Sequence, residues 1–200
     1  MSADKRALRQ ELREQRKHLP ASVVQAAAVA VCSRLLGLSF FQAATAVAVY
    51  VADENEIPTD MLIHNVGSTG RDLYLPRDAG RPVLVRWQPG APLRRARGGV
   101  QEPLDGVPAV MDLPAVIVLP LVAWDHCGTR LGRGGGFYDR LLADLDPRVL
   151  RVGLAYEFQG CPELPRDPWD ISMHRVITER RVIVCGDGRA ASFQKGGLQS

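Results

Sequence analysis

Ala115-Val116-Ile117-Val118-Leu119, continued by Pro120-Leu121-Val122-Ala123-Trp124-Asp125 and then by Arg130-Leu131-Gly132-Arg133-Gly134-Gly135-Gly136-Phe137-Tyr138-Asp139-Arg140, is the stretch that decides the architecture. Five apolar residues in a row, without alternation, are what a strand covered on both faces needs, and such strands belong to the middle of parallel sheets. The glycine-rich stretch that follows breaks regular structure. Phe137, Leu141 and Leu145 then recur at a spacing of four, which places a helix from Phe137 to about Leu145. Strand, glycine loop and helix in that order form the building block of an α/β fold.

Working toward the N-terminus, Val47, Val49 and Val51 alternate within Ala46 to Ala52 and predict another strand. Ser22 is a candidate cap for a helix through the Ala- and Val-rich segment to Leu36, where Gly37 supplies a stop. Ala3 to about His18 is free of Gly and Pro and carries Leu8 and Leu12 four apart, an amphipathic helix with a narrow apolar stripe, ended by Pro20. Thr59 is a candidate cap for a short helix containing Met61, Leu62 and Ile63. Leu73 to Leu75 and Val83 to Trp87 read as short strands around a Gly/Pro turn, and residues 88 to 112, rich in Pro, Gly and Arg, as one long loop. On the C-terminal side, Val152 to Tyr156, Arg175 to Thr178 and Val182 to Cys185 read as strands. The expected fold is therefore α/β, with a mainly parallel central sheet carrying helices on both faces, a three-layer, Rossmann-like α/β/α unit over residues 1–187, followed by a polar tail over 188–200.

Composition narrows the function. Among 200 residues, 46% are hydrophobic and 24% charged, an ordinary globular balance with room for one core and a small-molecule pocket. Four cysteines, Cys32, Cys127, Cys161 and Cys185, are far apart and lack any C-x-x-C pair, which argues for free thiols of a reducing cytosol and against zinc. The charged N-terminus has no signal-peptide core, and Gly37, Ser39, Gln42 and Thr45 interrupt the longest uncharged stretch; a cytoplasmic protein without a membrane span is expected. The net charge of +3 is confined to residues 1–18, which hold six Lys or Arg against three acids, while the rest is neutral. A nucleic-acid binder spreads its basic surface over a face of the fold, so one basic helix argues instead for a local anion site.

The loop from Arg130 to Tyr138 carries most of the chemical signal. Its glycines allow close approach of a ligand to the main chain, and Arg130 and Arg133 add charge. It is not the dinucleotide fingerprint, because Phe137 stands where the third glycine belongs, nor Walker A, because no Lys-Ser or Lys-Thr follows. Taken alone the loop reads as an anion cradle or as a tight turn. Asp139 reads equally as a helix-dipole residue or as a metal-holding acid beside a phosphate. Lys5 and Arg9 share one helix face, which by itself is as consistent with a solvated charged surface as with a binding one.

Several landmarks occur together in one order: Lys5-Arg6-Ala7-Leu8-Arg9, Glu56-Ile57-Pro58-Thr59, Leu75-Pro76-Arg77, Gln101-Glu102-Pro103, Leu119 to Asp125 leading into the glycine loop, and Pro165 to Asp170 followed by Val176-Ile177-Thr178. In this order the chain resembles the 5-formyltetrahydrofolate cyclo-ligase family. The resemblance implies an enzyme that uses ATP and Mg²⁺ to convert 5-formyltetrahydrofolate, with or without a polyglutamate tail, into 5,10-methenyltetrahydrofolate, acting as a monomer. It implies ATP contacts at Lys5, Arg9, Arg130, Leu131, Gly132, Arg133, Gly134, Gly135, Gly136, Phe137 and Tyr138. Folate contacts are implied at Val51, Glu56, Arg133, Gly134, Gly135, Gly136 and Phe137, and metal-associated acids at Asp139 and Asp170. Glu56 suits a pterin, whose edge offers adjacent N–H donors to one carboxylate.

The chain departs from the family pattern at His174, where an acid is frequent, and at Phe137, where a Tyr is frequent; the missing hydroxyl speaks against proton transfer at that position. Trp87 and Trp124 read as packing residues or as walls of a pterin site. The phosphoryl transfer that the resemblance implies needs charge neutralisation more than a protein nucleophile, so charge stabilisation by Arg133 and Lys5 is the expected catalytic device, and no Ser-His-Asp arrangement is evident. A sugar-phosphate isomerase is the rival enzyme, since it too needs an anion loop on a parallel sheet. An RNA-binding module is the non-enzymatic rival, and it lacks an aromatic stacking motif here.

Overall fold

The structure, a computed structural model, describes residues 3–96 and 100–186, so the polar tail expected over 188–200 lies outside the described residues. Its elements are α1 (Ala3–Lys17), α2 (Ala21–Leu36), α3 (Ser39–Ala43), β1 (Ala46–Ala48), α4 (Asp60–Ser68), β2 (Asp72–Asp78), β3 (Pro82–Arg86), β4 (Leu93–Arg95), β5 (Gln101–Pro103), β6 (Ala115–Pro120), β7 (Ala123–Trp124), β8 (Arg130–Leu131), α5 (Phe137–Ala143), β9 (Leu150–Leu154), a short 3-10 turn (Glu157–Gln159), β10 (Arg175–Ile177) and β11 (Val182–Val184). Seven strands form the main sheet in the order β11-β10-β9-β6-β1-β2-β3. The five inner strands are parallel, and β3 and β11 close the two edges antiparallel.

Alternation along each strand sorts its side chains between two faces. Val47, Val49, Val116 and Val118 pack with Ala27, Val31, Leu35, Phe41 and Leu62 from the N-terminal helices. Ala46, Ala48, Ile117 and Leu119 pack on the other face with Leu141 and Leu142 of α5. Because every residue from Ala115 to Leu119 is buried, the unbroken apolar run is fully accounted for by covers on both sides, and each of its Val, Ile and Leu side chains contributes about 1.5–3 kcal/mol of burial. The mainly parallel, three-layer arrangement expected from the sequence is the observed one.

Local differences have physical causes. Neither expected cap forms a side-chain cap: α2 begins after Pro20, whose fixed φ sets the helix entry, and Thr59 Oγ1 instead donates to Tyr50 O at 2.6 Å. Thr59 thus ties the end of β1 to the start of α4. The long loop expected over 88–112 contains the hairpin β4–β5, whose Glu102 accepts from Arg94 and from the Asp78 N–H at 2.8 Å, joining the hairpin to β2. Three-residue strands of this composition have no alternation by which to be read. The same holds for the β7–β8 hairpin between β6 and the glycine loop.

Candidate active site at the switch point of the sheet

From β1 the chain moves one way to β2, while β6, on the other side of β1, leads the opposite way to β9 and β10. Diverging connections open a crevice at the carboxyl ends of β1 and β6, the usual ligand site of a doubly wound sheet. A cavity of about 530 Å³ lies there. Its walls include the turn after β1, the glycine loop before α5, the first three turns of α1 and the turn 167–170, together with Pro76 and Asp78 of β2, Glu102 of β5 and Pro120 of β6.

The turn after β1 is held in an unusual shape. Glu54 (φ 49°) and Asn55 (φ 56°) occupy the left-handed region, which non-glycine residues adopt at a cost of about 1–3 kcal/mol each unless their surroundings hold them. Here they are held. Asn55 Nδ2 donates to Arg16 O and Lys17 O at 3.2 and 3.1 Å, closing the end of α1, and the Tyr156 hydroxyl donates to Asn55 O at 2.9 Å. The result points Glu56, 5% exposed, toward the glycine loop, where Arg133 Nη2 donates to its Oε1 at 3.0 Å and Arg133 Nη1 reaches Asp53 at 2.9 Å.

Arg16 is buried beneath this pair. Its Nε donates to Glu54 O at 2.9 Å, and Nη2, which makes no hydrogen bond, lies 3.7 Å from Glu56. Burial raises the Glu56 pKa above its ordinary value, against the opposing fields of Arg133 and Arg16. Arg133 shows the converse: burial disfavours its charge, but Glu56 and Asp53 outweigh burial and raise its pKa.

Two glycines shape the loop. Gly134 (φ +102°) lies under Arg9, whose Cζ would be 3.5 Å from a side-chain carbon placed there, and Gly136 (φ +63°) turns the chain into α5. Arg9 Nε donates to Gly132 O at 2.7 Å, fastening α1 to the loop. Lys5 Nζ donates to Asp167 at 2.8 Å and to Asp170 at 3.3 Å. Burial would lower the Lys5 pKa, but the two carboxylates more than compensate and raise it. The basic helix is therefore not a solvated surface: Lys5 and Arg9 are buried, and Leu12 packs with Val122, Leu131 and Leu164.

Asp139 accepts from Arg130 Nη2 at 2.6 Å, and Arg130 also donates to Ile171 O. Both contacts to Asp139, from Arg130 and from the Ile171 N–H, fall on Oδ1. Among the described residues no group of three or more His, Cys, Asp or Glu is close enough to make a metal site by itself. Asp139 and Asp170 both line the cavity, and Mg²⁺ is a hard cation usually held by one or two carboxylates plus substrate phosphates.

Every site residue expected from the sequence lines this one cavity: Lys5, Arg9, Val51, Glu56, the run Arg130 to Tyr138, Asp139 and Asp170. Trp87 and Trp124 do not; Trp124 is a core residue whose Nε1 donates to Tyr156 O at 3.3 Å. His174 also lies away from the cavity, accepting at Nδ1 from the Arg151 N–H at 3.0 Å, in keeping with a structural role. Sequence reasoning missed Arg16, Asp53 and Asp167. For Arg16 a signal existed, because Lys5, Arg9, Leu12 and Arg16 recur at helical spacing and so share a face. Nothing local marks Asp53 or Asp167.

Fold and site together define a doubly wound α/β enzyme with a charged small-molecule crevice at its switch point. A model of the 5-formyltetrahydrofolate cyclo-ligase family matches residues 1–179. The chain belongs to that family. It is 33% identical over 187 residues to the 5-formyltetrahydrofolate cyclo-ligase of Haemophilus influenzae, covering 88% of this chain and 99% of that one. To the Escherichia coli protein of the same name it is 32% identical over 178 residues, covering 86% and 98%. The NMR structure of Aquifex aeolicus 5,10-methenyltetrahydrofolate synthetase superposes with a TM-score of 0.79 at 32% identity, covering 97% of this chain and 99% of that one. A Mycoplasma pneumoniae structure at 21% identity and a TM-score of 0.70 shares the fold.

Proposed function

We propose that the chain converts 5-formyltetrahydrofolate and ATP into 5,10-methenyltetrahydrofolate, ADP and phosphate, with Mg²⁺ held by Asp139 and Asp170. The observation that carries this reading is the meeting, in one crevice, of a buried carboxylate suited to a pterin edge and a glycine loop flanked by Lys5, Arg9, Arg130 and Arg133. The formyl oxygen is a poor leaving group. Its attack on the γ-phosphorus, with departure of ADP, converts it into a phosphate ester; N10 then attacks the formyl carbon, phosphate leaves with the C–O electrons, and the N10 proton passes to solvent.

Such a transfer needs positioning and charge neutralisation more than a nucleophile. Glu56 accepts the pterin N–H groups. Arg133, fixed between Glu56 and Asp53, reaches from the folate contact to the loop and stabilises charge spreading over the transferred phosphoryl group. Lys5 exchanges its carboxylate partners for phosphate oxygens on nucleotide binding, which frees Asp170. When bound, Mg²⁺ supplies further neutralisation of the phosphate oxygens. The four cysteines are free thiols, and no described helix alone is long and apolar enough to cross a membrane; we take the protein to work as a cytosolic monomer.

The decisive experiment mixes the protein with 5-formyltetrahydrofolate and follows methenyl absorbance. It is expected to rise only when ATP and Mg²⁺ are both present, with one ADP formed per product. Product without ATP, or isomerisation of a sugar phosphate instead, would point to another reaction. Asp139→Asn keeps an acceptor oxygen for Arg130 and so keeps the fold, but loses a charge toward the cation. Its Mg²⁺ requirement is expected to rise about 10- to 100-fold in a metal titration of turnover, the scale set by weakened metal sites. An unchanged requirement would leave Asp139 as a partner of Arg130 only.

A further inference from the structure

The turn Asp167-Pro168-Trp169-Asp170 presents an indole where a core residue would not be. Trp169 lines the cavity yet is 68% exposed, whereas Trp124 is 1% exposed. Looseness of the turn does not account for this. The Asp170 N–H donates to Asp167 O at 3.0 Å, the Asp167 N–H donates to Asp170 Oδ2 at 2.8 Å, and Pro168 fixes φ at the second position of the turn. Both acids also hold Lys5. An apolar ring is thus kept in water by a rigid turn on the rim of a ligand cavity. Leaving so large an apolar surface wet is unfavourable unless something later covers it.

The position of the turn indicates what covers it. On the reading proposed above, two ring systems enter the cavity, a pterin and a purine. The pterin partner Glu56 is bound up with Arg133, Asp53 and Arg16. The turn touches the opposite set: Asp167 and Asp170 hold Lys5, and the following Ile171 contacts both Asp139 and Arg130. Those are the phosphate and cation residues. Tyr50 is buried, and Phe137 and Tyr138 are half-buried and set edge to face against each other, so Trp169 is the aromatic residue of this cavity with the most exposed ring. We infer that Trp169 is the stacking platform for the purine base of the nucleotide, and that it sets nucleotide affinity without taking part in phosphoryl transfer. This rests on the cavity taking ATP.

The test compares wild type, Trp169→Phe and Trp169→Ala by calorimetric titration, in Mg²⁺, with ATP, with inorganic tripolyphosphate and with 5-formyltetrahydrofolate. Loss of a base-stacking ring is expected to weaken ATP binding of Trp169→Ala about 5- to 150-fold. Trp169→Phe, which keeps an aromatic face, is expected to retain most of the affinity. Tripolyphosphate and folate binding should be unchanged in both, KM for ATP should rise in Trp169→Ala with kcat preserved, and the ATP-induced change in tryptophan emission should disappear in Trp169→Phe. Unaltered ATP affinity in Trp169→Ala overturns the inference. So does an equal loss of tripolyphosphate, which would make the indole a prop for the turn, or a selective loss of folate, which would make it a pterin wall. Failure of wild type to bind ATP sinks the nucleotide reading itself, and is distinguishable because wild type then binds neither ATP nor tripolyphosphate.

Discussion

Arg133→Ala is expected to lower kcat about 10²- to 10³-fold, the cost of removing one preorganised donor from a site where charge develops. The side chain bridges the two halves of the crevice, since its guanidinium binds Glu56 at 3.0 Å and Asp53 at 2.9 Å while its backbone belongs to the glycine loop. On the proposed mechanism, losing it removes a cation from the phosphoryl path; it also unfastens the loop from the turn after β1. Arg133→Lys separates the two effects, because an ammonium keeps the charge but cannot span both carboxylates as a planar fork does. An intermediate rate for Lys, with near-normal KM for ATP, fits a transition-state role. Turnover of Arg133→Ala within a few-fold of wild type would remove Arg133 from the mechanism.

Glu56→Gln is expected to weaken 5-formyltetrahydrofolate binding about 5- to 150-fold, the equivalent of 1–3 kcal/mol for one buried donor set against another. Gln has nearly the shape of Glu but turns an NH₂ toward either a pterin N–H or a guanidinium. ATP affinity should stay close to wild type, and separate titrations with the two ligands check this; a selective loss of ATP would contradict the assignment. Stability carries a second signature. The folded-state pKa of Glu56 is raised, so its contribution is fully present below the unfolded value near 4.5 and is lost as pH rises through the folded value. The gap in melting temperature between wild type and Glu56→Gln is therefore expected to move in favour of the mutant as pH rises above about 4.5. Parallel melting curves across that range would show that Glu56 gains as much from Arg133 and Arg16 as it loses by burial.

The part of the site legible in the sequence was the part that lies on one contiguous stretch. The run from Arg130 to Asp139 marks itself as a candidate anion site through glycine content, charge and position between a strand and a helix, although by itself it reads equally as a tight turn. The partners of that stretch were legible only through resemblance. Lys5 and Asp170 are 165 residues apart, and nothing in their local composition sets them 3.3 Å from each other. Thr59 and Ser22 show the reverse limit. Each has the residue type of a helix cap, but the Thr59 hydroxyl found a stronger demand at Tyr50 O, and Pro20 already set the start of α2.

By itself the sequence determined the layers of this protein, because burial of an apolar run or stripe depends on periodicity, and periodicity is local. Ala115 to Leu119 had to lie inside a sheet covered on both faces, and the residues around Val31 and Leu141 had to provide covers. The tertiary structure alone decided which charges face inward. A Lys or Arg on a helix reads the same whether it meets water or a carboxylate from the far end of the chain, and only strand order, with β1 between β2 and β6, opens the crevice over which α1 lies. That placement turns Lys5, Arg9 and Arg16 from surface charges into buried ones, since each finds its oxygen partners at Asp167, Gly132 and Glu54, three positions far apart in the chain.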